Sequence, residues 1–348
     1  MSTHTMNAPQ KAAVEYTDGP LLVLAGAGSG KTRVITEKIA HLISHKKCEA
    51  KHIAAITFTN KSAREMRERV SKRIKSDKTE GLTVSTFHSL GLRFLQIEAH
   101  RAKLRRGFSI FDTDDQLGII KDLSAPGLKN DALQALHGLI SQAKNNGLSP
   151  DDAFELAKSA REREAANLYD RYQARLQTFN AVDFDDLIRI PLMLLDQDPD
   201  LAPAWRERLR YLLVDECQDT NGAQYRLLKH LAGPNGRMTC VGDDDQSIYA
   251  WRGAQPENLE LMAKDYPNLK VIKLEQNYRC TGRILRSANQ LIAKNPHVHL
   301  KNLWSQHGDG EPIRIWGCTN NEHEAERVAA EIHYLKQAKE IPWGEFAI

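Results

Sequence analysis

The sequence predicts an α/β fold, a parallel sheet flanked by helices and interrupted by a mostly helical inserted subdomain. Three observations predict it. Short apolar runs alternate with amphipathic stretches over residues 1–86. Helical periodicity then dominates residues 87–195, where strand signals nearly vanish. The apolar runs return at Leu212-Leu213-Val214, at residues 238–241 and at Val271-Ile272-Lys273-Leu274.

Taken in order, Leu21-Leu22-Val23-Leu24 is the first strand, and it ends in glycines before an amphipathic helix over residues 32–44. Residues 52–58 form a second buried strand, residues 62–76 a charged helix and residues 82–86 a third strand. The inserted region is most clearly helical over residues 150–179. After the returning strands, residues 277–348 predict a helix over 283–294, a strand over 312–316 and a helix over 322–338. They end on Phe346-Ala347-Ile348, which has the pattern of a strand beginning. The chain therefore divides into residues 1–86 and 196–276 for the two parts of one sheet domain, 87–195 for the insertion, and 277–348 for the start of another domain. No internal repeat or low-complexity tract interrupts it.

With 348 residues, 41% hydrophobic and 27% charged, the composition is that of a globular protein of two or three domains. The net charge of +3 is small, and its distribution carries more information. Lys61, Arg64, Arg67, Arg69, Lys72, Arg73, Lys75 and Lys78 crowd one stretch, and Arg101, Lys103, Arg105 and Arg106 another. Such runs neutralise phosphates, or simply form a solvated helix face. The five cysteines are scattered with no metal-ligand spacing, which points to a reducing compartment. The first ten residues lack an apolar signal core, and no apolar run approaches the roughly 20 residues that span a bilayer. A cytoplasmic protein without a membrane partner is expected.

Ala25-Gly26-Ala27-Gly28-Ser29-Gly30-Lys31-Thr32 lies between an apolar strand and a helix, the context of a phosphate-binding P-loop. Its glycines let backbone N–H groups of Ala27, Gly28, Ser29 and Gly30 turn toward phosphate oxygens. Lys31 would reach the β- and γ-phosphates of ATP, and the Thr32 hydroxyl would ligate Mg²⁺. Ala25 stands where the strict pattern has glycine. Further on, Tyr211-Leu212-Leu213-Val214 ends in Asp215 and Glu216. Asp215 would hold Mg²⁺ through water and Glu216 would polarise the attacking water, which favours hydrolysis over kinase chemistry. Gln246, in the polar stretch after the strand at 238–241, is a candidate to sense the γ-phosphate, although such a stretch can equally be a solvated turn.

These segments, in this order, resemble the superfamily-one DNA helicases of the Rep, UvrD and PcrA group. The resemblance rests on Asn7-Ala8-Pro9-Gln10, the phosphate loop through Arg33, and Thr57-Phe58-Thr59-Asn60-Lys61. It continues through Ser85-Thr86-Phe87-His88, Asp183-Phe184-Asp185-Asp186-Leu187 and Val214-Asp215-Glu216-Cys217-Gln218-Asp219-Thr220. It ends with residues 242–253 and Gln276-Asn277-Tyr278-Arg279, and the stretches between motifs are most similar to the Rep branch.

The resemblance implies a RecA-like sheet domain with the beginning of a second, truncated RecA-like domain. It implies that Gln10 reads adenine, Arg33 flanks the base, Tyr278 stacks on it, and Arg279 stabilises γ-phosphate charge. It implies single-stranded DNA contacts through Phe58, Asn60, Lys61, Thr86, Phe87, His88, Tyr249, Trp251 and Arg252, since aromatic faces stack bases and cations meet phosphates. The implied activity is that of an ATP-dependent 3′–5′ helicase acting in DNA replication or repair on single strands and 3′-tailed duplexes, with replication or repair proteins as possible partners. Cys217, where an aromatic residue is common in the group, is read as packing. The 348 residues are expected to bind ATP and Mg²⁺ without unwinding alone. Alternatives are an ATPase that remodels proteins, a non-catalytic DNA-binding module, and the motor of a helicase–nuclease.

Overall fold

A computed structural model describes residues 5–74, 76–295 and 300–348. The chain opens on α1 (Ala8–Glu15), whose N-cap Asn7 and N3 residue Gln10 form a reciprocal capping box with Pro9 in the first turn. β1 (Leu21–Ala25) feeds the phosphate loop and α2 (Lys31–Ser44). β2 (Ile53–Thr57), α3 (Asn60–Arg73), β3 (Thr83–Thr86) and α4 (Phe87–Ile97) follow. The Thr59 and Thr86 hydroxyls cap α3 and α4.

The insertion runs through β4 (Ser109–Phe111), α5 (Thr113–Leu123), α6 (Asn130–Asn145), α7 (Pro150–Glu155), α8 (Ala160–Thr178) and β5 (Ala181–Asp183). The chain returns through α9 (Asp186–Gln197) and α10 (Leu201–Arg208) to β6 (Tyr211–Val214), α11 (Gly222–Ala232), β7 (Met238–Gly242), α12 (Asn258–Asp265) and β8 (Lys270–Leu274). The last helices are α13 (Gly282–Ile292) and α14 (Asn321–Ala338).

Six strands pair in the order β3-β2-β6-β7-β1-β8, and every pairing is parallel. Side-chain alternation splits each strand between two cores. Leu22, Leu24, Ala54, Ile56, Leu212 and Val214 join Phe94, Leu187 and Leu228 on one face. Leu21, Val23, Ala25, Ile53, Ala55 and Leu213 join Ile35, Ile39 and Met66 on the other. Burial on both faces is why these strands read as unbroken apolar runs. The insertion has its own core around Ile120, Leu136, Tyr169 and Tyr172.

Three sequence expectations change. The insertion contains a two-stranded parallel sheet, β4 with β5, whose three-residue strands are too short to leave a periodic signal. Residues 312–316 alternate like a strand but form none, and Ile315 is exposed, because no neighbouring strand is there to pair. Phe346-Ala347-Ile348 likewise forms no strand. Among the described residues, 277–348 therefore carry two α-helices, a 3-10 turn at Trp343–Glu345 and no strand, apart from an isolated parallel bridge between Gln276 and Trp304.

Candidate nucleotide site and strand-binding face

Every candidate segment leaves the carboxyl end of a strand or caps that edge, where ligands bind in open α/β sheets. The phosphate loop follows β1. Gly28 and Gly30 adopt φ of 71° and 93°, and a Cβ on Gly28 would lie 2.7 Å from Asn277 Nδ2. Ser29 Oγ donates to Gly26 O (2.7 Å). Gln10 is buried beneath the loop: its Nε2 donates to Ser29 O (2.9 Å) while its Oε1 accepts from Asn7 N (3.1 Å). The amide thus braces the phosphate loop through one of its N–H groups and its carbonyl oxygen.

Lys31 and Thr32 open α2. Lys31 Nζ bonds Glu216 Oε2 at 2.7 Å and Gln246 Oε1 at 3.4 Å. Gln218 Nε2 donates to Glu216 Oε2 (3.0 Å), and Asp243 N donates to Gln218 Oε1 (3.0 Å). Gln246 Nε2 in turn donates to the Asp243 carboxylate. Lys31, Glu216, Gln218, Asp243 and Gln246 therefore form a closed ring. Glu216 sits at φ 52°, left-handed for a residue with a Cβ, a strained geometry of the kind found at functional positions. Asp215 is buried, its backbone N donating to Ile56 O (2.8 Å). Burial, then the neighbouring Glu216 charge, pushes its carboxyl up to about 6. A dry carboxylate on the same edge as the Thr32 hydroxyl is a donor set suited to a hard divalent cation.

The segment after β8 closes on this loop. Asn277 Nδ2 donates to Ala27 O (2.6 Å), and Tyr278 N to Gly28 O (2.9 Å). Gln276 Oε1 accepts from both Tyr278 OH and Asn7 Nδ2 (3.0 Å each). Tyr278 is half-buried and Arg279 exposed, while Arg33 is half-buried on the first turn of α2. Sequence reasoning assigned no role to Gln218 or Asn277; both lay inside quoted motifs, but their partners are remote in sequence.

A second face adjoins the first. Phe58 stacks on Tyr249 (centroids 5.3 Å, 24° between planes), and Tyr249 meets Trp251 at 6.5 Å. Trp251 is 74% exposed. Asn60 and Lys61 are exposed on the first turn of α3. Thr86 and Phe87 differ from the expectation of surface contacts: the Thr86 hydroxyl caps α4, and Phe87 is 4% exposed within the core. His88 is half-buried, edge-on to Phe184 at 6.4 Å, and burial holds its imidazole below the usual range. Phe58, Phe87 and His88 line a cavity of about 270 Å³ together with the polar Asn145, Asp185 and Asp219. The Arg252 side chain and Lys75 lie outside the described residues. Cys217 is buried, as read from the sequence.

A parallel sheet with its phosphate loop on β1, its Asp-Glu pair on β6 and a polar loop on the intervening β7 is the frame of the RecA-like P-loop proteins. Comparison with known proteins narrows this. Residues 6–267 match the UvrD/REP helicase N-terminal domain and residues 272–348 the UvrD-like helicase C-terminal domain, so the chain belongs to the UvrD/REP helicase family. It is 51% identical to the ATP-dependent DNA helicase Rep of Escherichia coli (strain K12) over 345 residues, 99% of this chain and 51% of that protein. It is 43% identical to the ATP-dependent DNA helicase PcrA of Bacillus subtilis (strain 168) over 347 residues, 99% of this chain and 47% of that protein. The chain spans about half the length of the curated relatives it matches. No helix among the described residues is long and apolar enough to cross a membrane.

Proposed function

We propose that this chain is the ATP-binding part of an ATP-dependent DNA helicase that moves 3′ to 5′ on single-stranded DNA in replication or repair, in the cytoplasm. One observation carries the reading. The loop after β7 holds Gln246 in the ring around Lys31 and, three and five residues later, presents Tyr249 and Trp251 beside Phe58. The short segment from Gln246 to Trp251 thereby joins a nucleotide site to an aromatic surface suited to sequence-tolerant base stacking.

In this reading Gln10, Arg33 and Tyr278 hold adenine, and the backbone of residues 27–30 with Lys31 holds the phosphates. Thr32 and Asp215 hold Mg²⁺, which supplies charge neutralisation on the phosphates. Glu216 takes the proton of the attacking water, while Gln246 and Arg279 contact the γ-phosphate. Phe58, Tyr249 and Trp251 stack bases, with Asn60, Lys61 and His88 nearby, and Arg252 is assigned to the strand by resemblance. Residues 1–86 and 196–276 form the first motor domain, 87–195 the insertion and 277–348 the beginning of the second.

Substituting Lys31→Ala is expected to weaken binding of a fluorescent ATP analogue at least tenfold; unchanged affinity would refute the assignment of the loop. Unwinding needs two sheet domains closing around ATP. Among the described residues the sheets are the six-stranded one and the two-stranded β4-β5 pair of the insertion, so a forked duplex with a 3′ tail is expected to stay paired when mixed with the 348 residues and ATP. Strand separation in a gel assay would sink that expectation.

A further inference from the structure

Residues 300–304 cross the nucleotide edge as a strap. Trp304 N donates to Glu275 O (3.0 Å) and Asn277 N to Trp304 O (2.8 Å), joining the strap to the segment that carries Tyr278 and Arg279. Asn289 of α13 clasps it, donating to Leu303 O (2.9 Å) and accepting from Leu303 N (3.2 Å). Leu303 lies so close to the phosphate loop that a Cβ on Gly26 would meet its Cδ2 at 2.4 Å. Lys301 points the other way, into the loop after β7. Its ammonium bonds the Asp243 and Asp244 carboxylates and lies 3.1 Å from Asp245 Oδ2, with only 3% of its side chain exposed.

The chemistry of that loop requires a cation. Oxygens of Asp243, Asp244 and Asp245 lie within 4.8 Å of one another, and like charges so close repel unless neutralised. Burial alone would lower the Lys301 ammonium, but its bonds to Asp243 and Asp244 outweigh that and push it up to about 12. Asp243 is also the carboxylate that accepts from Gln246 Nε2, and Gln246 faces Lys31. A line of contacts thus runs from Lys301 through Asp243 and Gln246 to the phosphate-binding lysine.

We propose that Lys301 is a positioning residue for γ-phosphate recognition: it neutralises the acidic loop, sets Gln246 in register, and ties that loop to the segment bearing Tyr278 and Arg279. It acts through Asp243 and Gln246 rather than by touching nucleotide, and this rests on the reading of Gln246 as the γ-phosphate contact.

The test compares the 348-residue chain with its Lys301→Ala, Lys301→Arg and Gln246→Ala variants. Two readouts are the ratio of ATP to ADP affinity, by competition against a fluorescent nucleotide, and amide hydrogen exchange over residues 243–247. Lys301→Ala is expected to lower the ATP:ADP ratio about tenfold, the scale of one lost hydrogen bond to a charged group. It should leave ADP affinity within about twofold and speed exchange at Gln246 and Ser247, with Lys301→Arg restoring both. Unchanged exchange in Lys301→Ala overturns the proposal. So does an unchanged ratio in Lys301→Ala where Gln246→Ala lowers it, which leaves the Gln246 reading standing. An unchanged ratio in Gln246→Ala itself refutes that reading and this proposal together. Should Lys301→Ala fail to fold, the charge-balanced variant with Asp244→Asn and Asp245→Asn carries the same measurements.

Discussion

At the scale of single residues, the proposed nucleotide site turns on Lys31, Glu216 and Asp215. Glu216→Gln keeps the shape but removes the carboxylate that holds Lys31 at 2.7 Å. It is expected to bind ATP at least as tightly as the parent in an equilibrium titration, and to lose any DNA-stimulated phosphate release by about 10²–10⁴-fold; weaker ATP binding would contradict the competition between carboxylate and phosphate. On the aromatic face, Trp251→Ala is expected to weaken binding of a short single strand about tenfold, read by fluorescence anisotropy, since stacking on one aromatic contributes about 1–3 kcal/mol per base. The placement of Lys31, Asp215 and Glu216 at the carboxyl ends of β1 and β6 was legible because each follows an unbroken apolar strand, and the phosphate chemistry proposed for them needs those residue types there. Gln218, Asn277 and Lys301 were not. Each is ordinary in its own segment and acquires a role only against Asp243, Ala27 or the acidic loop, which are remote in sequence.

At the scale of elements, the Asp183-Phe184-Asp185-Asp186 stretch supplies a buried clamp. Lys144 Nζ on α6 lies 2.5 Å from Asp183 Oδ2 and 3.0 Å from Asp186 Oδ1. Tyr172 OH on α8 also donates to Asp183 Oδ2 (2.9 Å), so the cluster ties α6, α8, β5 and α9 together. Lys144→Met removes the ammonium that both buried carboxylates share, leaving Asp186 to the longer Arg189 contact (3.9 Å), and is expected to cost about 3–5 kcal/mol of stability, measured by denaturant unfolding. The pH response has a definite sign. Burial, then the Asp183 charge, pushes Asp186 up to about 6 from an ordinary 3.8, so the folded state holds a proton there that the unfolded chain has released. Its contribution favours folding below about 3.8 and is lost as pH rises through about 6. Asp183 behaves oppositely: burial would raise it, but Lys144 outweighs burial and holds it below its ordinary value, so its contribution is lost in acid. Asp186→Asn should therefore flatten the part of the stability profile that falls between about pH 4 and pH 6. Helices were legible here from periodicity, and the central strands from apolar runs buried at every position. β4 and β5 were not, since three residues cannot show a period, and the alternation at 312–316 misled because pairing, not pattern, makes a strand.

For the whole molecule, a six-stranded parallel sheet turns all its carboxyl ends to one side, so nucleotide site and aromatic face share an edge. The rhythm of strands and the interruption by a helical insertion were legible in the sequence; the strand order was not, because β7 enters between β6 and β1 from far along the chain. Charge is the other molecular-scale property. Binding to single-stranded DNA is expected to weaken with salt in log–log proportion, each neutralised phosphate adding about −0.7 to the slope. Lys61→Ala, exposed at the start of α3, should reduce that slope by about 0.7, and a parallel shift with no change of slope would remove Lys61 from the phosphate contacts.

On the proposed reading, the closed ring around Lys31 would make nucleotide binding an exchange rather than an addition. One ammonium would serve two anions in turn, so that a triphosphate would gain the lysine only as Glu216 lost it. The carboxylate proposed to activate water would then stay occupied until the substrate itself released it, and a single ion pair would set the order of events, phosphate first and water second.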